Sequence, residues 1–195
     1  MDIKLPNKNV YILIGGGCHA GRHKDRLVTE IESWLSYKQI KIAKIVFIPF
    51  AKNKIDWNMT VQKYLNSFLH KLHKNNRLSI SIAIPNKKTL KNQLSNADII
   101  FFSGGSELNL KALFKKETLP IAEKIFIGIS AGVNFLSKFY FSNDRGRIET
   151  GLGVLPISTI CHFSTEKNNK AKLLSEGRKY PVIPIEDNKF VTIIF

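Results

Sequence analysis

Cysteine is scarce in this chain: Cys18 and Cys161 are the only two in 195 residues, and they do not form a Cys-x-x-Cys pair. That excludes a disulfide framework and the common cysteine-based zinc and redox motifs, and it fits a reducing compartment. Long apolar runs are also missing. No stretch approaches the roughly twenty residues that a membrane-spanning helix requires, and Met1-Asp2-Ile3-Lys4 does not open a signal sequence. The expectation is a soluble, cytoplasmic protein with no membrane partner. Acidic residues are few, fifteen against thirty Lys and Arg, for a formal charge of +15. Such a field concentrates anions of any kind. The lysines are spread over every segment, however, and the nearest thing to an aromatic-studded basic patch, Lys71 to Arg77, has no Phe, Tyr or Trp on which bases could stack. Nucleic acid is therefore disfavoured as a partner. Repeats, low-complexity tracts and Pro/Gly linkers are absent as well, so residues 1–195 read as a single domain.

What the chain does contain is a succession of short apolar, β-branched runs. Val10-Tyr11-Ile12-Leu13-Ile14, Ile45-Val46-Phe47-Ile48, Ile99-Ile100-Phe101-Phe102 and Ile125-Phe126-Ile127 predict strands buried on both faces. Leu78 to Ile84 alternates apolar with small or polar residues, which predicts a strand near an edge of the sheet. Helical spacing fills the intervals: Val61, Leu65, Phe68, Leu69 and Leu72 form one stripe, with Asp56 placed to cap its start, and Leu27, Ile31, Trp34 and Leu35 form another. Strands alternating with helices imply an α/β fold, a doubly wound, mostly parallel sheet with helices on both faces. After Phe139 the segments shorten, with a polar, helix-like stretch from Thr165. Two final runs flank Glu186-Asp187-Asn188-Lys189, which reads as a hairpin turn.

In such sheets, ligands bind beyond the carboxyl ends of the strands. There the sequence places Gly128-Ile129-Ser130-Ala131-Gly132, between a strand and a helix, the context of a nucleophile elbow. Glycines on either side are needed because the nucleophile is strained and side chains two positions away would collide with the neighbouring strand or helix. A serine in a Gly-rich turn can also simply cap the helix that follows it. As nucleophile, Ser130 needs a base, and among five histidines only His162 follows a short apolar run at its carboxyl end. His19 lies in a Gly-rich turn, His70 and His73 interrupt an amphipathic helix, and His23 sits among cations. Asp144, in a turn-like segment after the elbow helix, is the first choice to orient the imidazole, with Glu149 and Asp187 in reserve. The elbow supplies one oxyanion donor from Ala131. Ser103-Gly104-Gly105-Ser106 offers a second donor from a Gly-rich strand-to-helix turn, with Ser106 placed to cap the helix. Gly15-Gly16-Gly17 lacks the spacing of a dinucleotide loop and reads as a tight turn.

Together these residues resemble the serine peptidase family of dipeptidase E (the aspartyl dipeptidases) and the cyanophycinases. The likeness runs through Ile48-Pro49-Phe50-Ala51 with Trp57, Phe102 to Gly105, Gly128 to Gly132, and Gly151 to Pro156 leading to His162-Phe163. It implies a sheet like that of class I glutamine amidotransferases, whose elbow carries cysteine; serine here argues against ammonia transfer from glutamine. It also implies Ser130 as nucleophile, His162 as base, Asp144 as acid, and Gly105 and Ala131 as oxyanion donors. The family often has Asn where this chain has Ser106.

The expected function is hydrolysis of short peptides through a Ser-His-Asp triad and an acyl-enzyme, with no cofactor and no metal. The resemblance suggests dipeptides with an acidic residue, for which Arg145 and Arg147 are the candidate carboxylate ligands, and Gly104 and Ser106 would line the substrate site. An esterase of α/β-hydrolase type is the rival enzyme, but its acid and histidine ordinarily lie much farther downstream. A non-catalytic protein binding anions or nucleic acid on the same scaffold is the rival of another class. A sheet edge near Phe195 leaves room for a homodimer.

Overall fold

The computed structural model describes residues 8–17, 21–75, 77–114, 119, 123–164 and 179–195. The strands and helices, in chain order, are β1 (Val10–Ile14), α1 (Gly21–Tyr37), β2 (Ile42–Ile48), α2 (Trp57–Leu65), α3 (Phe68–Asn75), β3 (Arg77–Ile82), α4 (Lys87–Asn96), β4 (Ile99–Phe102), α5 (Glu107–Leu113), β5 (Ile125–Ile129), α6 (Ala131–Leu136), β6 (Ser137–Ser142), β7 (Arg147–Thr150), β8 (Leu155–Phe163), β9 (Val182–Glu186) and β10 (Phe190–Ile194). A six-stranded sheet runs β10-β1-β5-β4-β2-β3 and a four-stranded one β7-β6-β8-β9. The first sheet is parallel except for β10, which pairs antiparallel with β1. In the second, β6, β8 and β9 run parallel and β7 is antiparallel to β6.

The continuous apolar runs become the inner strands because both of their faces are covered. Along β4, Ile99 and Phe101 face one core while Ile100 and Phe102 face the other. The first core receives α1, α2 and α3 through Leu27, Ile31, Val61, Phe68 and Leu72. The second receives α4, α5 and α6 through Leu94, Leu110, Val133 and Phe135, and also the second sheet through Leu155, Ile157 and Ile185. The alternating segment forms β3, at the sheet edge. The predicted doubly wound, mostly parallel α/β fold is therefore present, with a smaller sheet packed on one of its helical layers.

Two local expectations change. The stripe from Val61 to Leu72 is not one helix: α2 ends at Leu65, capped by Asn66, whose N–H bonds to Gln62 O at 2.9 Å, and α3 starts at Phe68. Asp56 sits at the start of α2 without a side-chain cap, as does Ser106 before α5. Glu186–Lys189 turns, with Lys189 N–H bonded to Glu186 O at 3.2 Å, but it does not close a hairpin. Strand β9 pairs with β8 in the small sheet and β10 with β1 in the large one, so this turn carries the chain from one sheet to the other. The stretch from Thr165 lies outside the described residues up to position 178.

Phe101 anchors the first core, fully buried and stacked on Phe47 with ring centroids 4.7 Å apart, with Tyr64 and Phe68 at 5.1 and 5.6 Å. Phe101→Ala should lower unfolding free energy by about 3–5 kcal/mol, the range for truncating a buried aromatic, measured by urea denaturation with an unchanged m-value.

Candidate active site

The parallel order of β1, β2, β4 and β5 puts their carboxyl ends on one edge, where Gly15–Gly17, Ala51, Ser103–Ser106 and Ser130 follow them. Ser130 has φ 47° and ψ −102°, a conformation that L-residues rarely adopt. The turn tolerates it because both flanking glycines are obligatory. A Cβ on Gly132 would lie 2.8 Å from Phe102 Cβ and O on the neighbouring strand, and one on Gly128 would lie 3.0 Å from Gly132 C and Val133 N. Ser130 is anchored by its N–H to Ile14 O at 2.9 Å, and its carbonyl accepts from Asn134 N at 3.0 Å to begin α6. Its hydroxyl does not cap that helix. Instead Oγ lies 2.8 Å from His162 Nε2.

His162 comes from the other sheet. Between Cys161, opposite Ile185, and Phe163, opposite Glu186, the β8–β9 register shifts, leaving His162 as the extra residue of a bulge with φ 53°. A bulge re-aims a side chain that regular pleating would direct elsewhere, and here it faces the elbow. His162 Nδ1 is 2.6 Å from Asp187 Oδ1. The carboxylate behind the imidazole is thus the reserve, Asp187, and not Asp144. The physical reason is the intersheet turn, which delivers Asp187 to the ring. Asp144 stands exposed in the β6–β7 turn, where it lines the cleft beside Ser130. Glu149 is engaged elsewhere: its Oε1 accepts from Arg145 Nε at 3.1 Å and Arg147 Nε at 2.7 Å, and the Arg147 bond, with the charge behind it, holds its carboxyl below the usual range.

Gly15-Gly16-Gly17 is more than a tight turn. A Cβ on Gly16 would overlap Asp187 Oδ1 and the His162 ring, and Gly16 O accepts from Asn188 N at 2.7 Å. That role is not legible in the sequence, because nothing local in a glycine triplet shows what approaches it. The second glycine turn is equally constrained. Gly105 has φ 145°, its missing Cβ would overlap Ala51 O, and Ser106 N–H bonds to that same oxygen at 2.7 Å. The Tyr64 hydroxyl bonds to the Gly104 backbone, and burial pushes its pKa up to about 12.

Ser130, Ala131, Gly105, His162 and Asp144 share one cleft of about 260 Å³ with Glu107, Asn134 and Cys161. Cys161 is no rival nucleophile: burial pushes its thiol pKa far up, and Sγ is 3.6 Å from Ser130 O. Asn134, one turn after Ser130, has no hydrogen-bond partner for Oδ1 among the described residues. The two arginines expected to hold a substrate carboxylate are occupied. Arg145 pairs with Glu107 and Glu149, and Arg147, mostly exposed, pairs with Glu149. His70 and His73 line a separate apolar groove of about 320 Å³ with Leu65, Leu69 and Ile80. His19 lies outside the described residues. Among the described residues no cluster of His, Cys, Asp and Glu could hold a metal, and no helix is long and apolar enough to cross a membrane.

A strained serine at the carboxyl edge of a parallel sheet, hydrogen-bonded to a histidine, defines the hydrolase class built on a nucleophile elbow. Comparison with known proteins gives the family. The model of Peptidase family S51 matches residues 11–194, and the chain belongs to that family, which is the dipeptidase E and cyanophycinase family. It is therefore a hydrolase of serine peptidase type. A solved structure described as a peptidase from an acI-B1 Actinobacterium has the same fold, with a TM-score of 0.67 at 17% identity over 96% of this chain and 84% of that one. No curated protein matches.

The Asp187 pairing gives a test independent of turnover. The Nδ1 proton of His162 should give a low-field ¹H resonance that is lost in Asp187→Ala and in Gly16→Ala, and kept in Asp144→Ala. Loss in Asp144→Ala alone would return the orienting role to that residue.

Proposed function

We propose that the protein hydrolyses short peptides through an acyl-enzyme on Ser130, with His162 as general base and Asp187 as the orienting acid. The observation that carries this reading is the continuous relay from Ser130 Oγ to His162 Nε2 and from Nδ1 to Asp187, at 2.8 and 2.6 Å. His162 takes the hydroxyl proton as Oγ attacks the peptide carbonyl carbon. The amides of Gly105 and Ala131 hold the resulting oxyanion. His162 then protonates the amine as the C–N bond breaks, and water, deprotonated in turn by His162, releases the acyl group. Asp187 keeps the imidazole in the tautomer that accepts at Nε2 and stabilises the imidazolium once formed.

A cleft of about 260 Å³ falls just below the usual range of small-ligand sites, roughly 300–1,000 Å³, which favours a short peptide over a folded protein. Its described lining carries the carboxylates of Glu107 and Asp144 beside His162, with no Lys or Arg. A preference for acidic residues thus draws no support from Arg145 or Arg147, and the substrate class we assign is short peptides without that restriction. The relay also favours chemistry over passive anion binding, since a binding site has no need of a strained serine held against an imidazole.

A panel of dipeptides and tripeptides varying the acidic residue should show hydrolysis by the wild type. Ser130→Ala should lower kcat on the order of a million-fold with folding intact. Asp187→Asn should cost about ten-thousand-fold, and Asp144→Asn far less. Normal turnover by Ser130→Ala would end this reading.

A further inference from the structure

We infer that Arg145 is a positioning residue that locks the oxyanion turn Gly104-Gly105-Ser106 in place, and not a ligand of substrate. Arg145 lies in the β6–β7 turn of the small sheet, next to Asp144. Its side chain crosses to the large sheet's edge, where Nη2 donates to Glu107 Oε1. The same Nη2 is 3.2 Å from the Tyr140 hydroxyl, and Nε bonds to Glu149 at 3.1 Å. Glu107 is only 5% exposed and is the first residue of α5, two positions after Gly105. Tyr140 is fully buried; burial, and then the Glu107 charge, push its phenol well above the usual range. The Glu107 bond in turn raises the Arg145 pKa, so the guanidinium keeps its charge.

The turn that Glu107 anchors is otherwise held through its backbone. Ser106 gives no side-chain cap to α5, and Gly105 occupies a region open to glycine alone. Contacts hold it from three directions: Ala51 O on Ser106 N–H, the Tyr64 hydroxyl on Gly104, and Arg145 with the Tyr140 hydroxyl on Glu107. The first two come from the large-sheet half of the site. Among the described residues Arg145 and the Tyr140 hydroxyl, which also bonds to Glu107, tie the start of α5 to the sheet that carries His162, and Lys111 Nζ on Thr150 O at 2.8 Å adds a tie one turn further along. Arg145 gathers Glu107, Tyr140 and Glu149 together, and so it sets the distance between the Gly105 amide and the Ser130–His162 pair. A buried ion pair is weak evidence for stability, because desolvation offsets its attraction, whereas a planar guanidinium bridging three oxygens is well suited to setting geometry.

The inference rests on the peptidase reading for its kinetic arm alone. Arg145→Ala should lower kcat on short peptides about ten- to hundredfold with KM within about twofold, since an oxyanion donor acts in the transition state. Added guanidinium ion should restore part of that loss. Lys71→Ala, at the exposed Lys71–Asp25 pair, should change neither constant. If Arg145→Ala leaves Glu107 unpaired and does not fold, Arg145→Lys carries the test. A lysine keeps the charge but cannot reach Glu107, Glu149 and Tyr140 together, and kcat should still fall about tenfold. Unchanged kcat overturns the inference, and so does a rise in KM confined to acidic peptides, which would make Arg145 a substrate ligand. The second arm needs no turnover: hydrogen exchange of the amides from Gly104 to Glu107 should quicken at least tenfold in the same variants. Unchanged exchange overturns the inference even if no peptide is cleaved, whereas wild-type inactivity with quickened exchange would count only against the peptidase reading.

Discussion

The hydrogen bond between Ser130 and His162 joins two sheets that have no strand in common, and the rest of the site depends on it. Ser130 belongs to the large sheet through β5 and His162 to the small one through β8. Each residue has positive φ, at 47° and 53°, so both sides of the contact use backbone conformations that cost free energy for a side-chain-bearing residue. Such strain persists only where the surroundings over-determine it. Around Ser130 they do so with the bonds to Ile14 and Asn134 and with glycines that allow Phe102 and Val133 to close in; around His162 they do so with the bulge in the β8–β9 pairing.

Three further features make the two sheets one site. The turn after β9 crosses between them and brings Asp187 to the imidazole. Gly16, in the turn after β1, leaves the space that this approach needs. Arg145 spans the cleft on the other side, from the small sheet's turn to the start of α5. The protein carries a formal charge of +15, yet the described cleft lining has two carboxylates and no Lys or Arg. The general charge of the surface therefore says little about what the cleft selects.

The large sheet was readable because buried parallel strands leave an unmistakable signature: runs such as Ile99-Ile100-Phe101-Phe102 have no polar face to confuse them. The elbow was readable for a related reason, since its glycines answer to steric demands within five residues. Asp187 was not, because membership of the site comes from how β9 and β10 part into different sheets, and a local reading of Glu186–Lys189 sees only a turn. Asp144 was attractive by its position after the elbow helix, and it does reach the cleft; the intersheet turn simply brings another carboxylate to Nδ1. Arg145 and Arg147 looked free in sequence, and only the fold reveals the acids that engage them.

The peptidase reading of this site requires that Ser130 be activated as a nucleophile. The most direct measurement is covalent labelling of the intact protein by a fluorophosphonate, with the adduct located by peptide mass spectrometry. The account predicts a single stoichiometric adduct on Ser130, with labelling slowed greatly by His162→Ala. An adduct on another residue, or none in the folded wild-type protein, would contradict it.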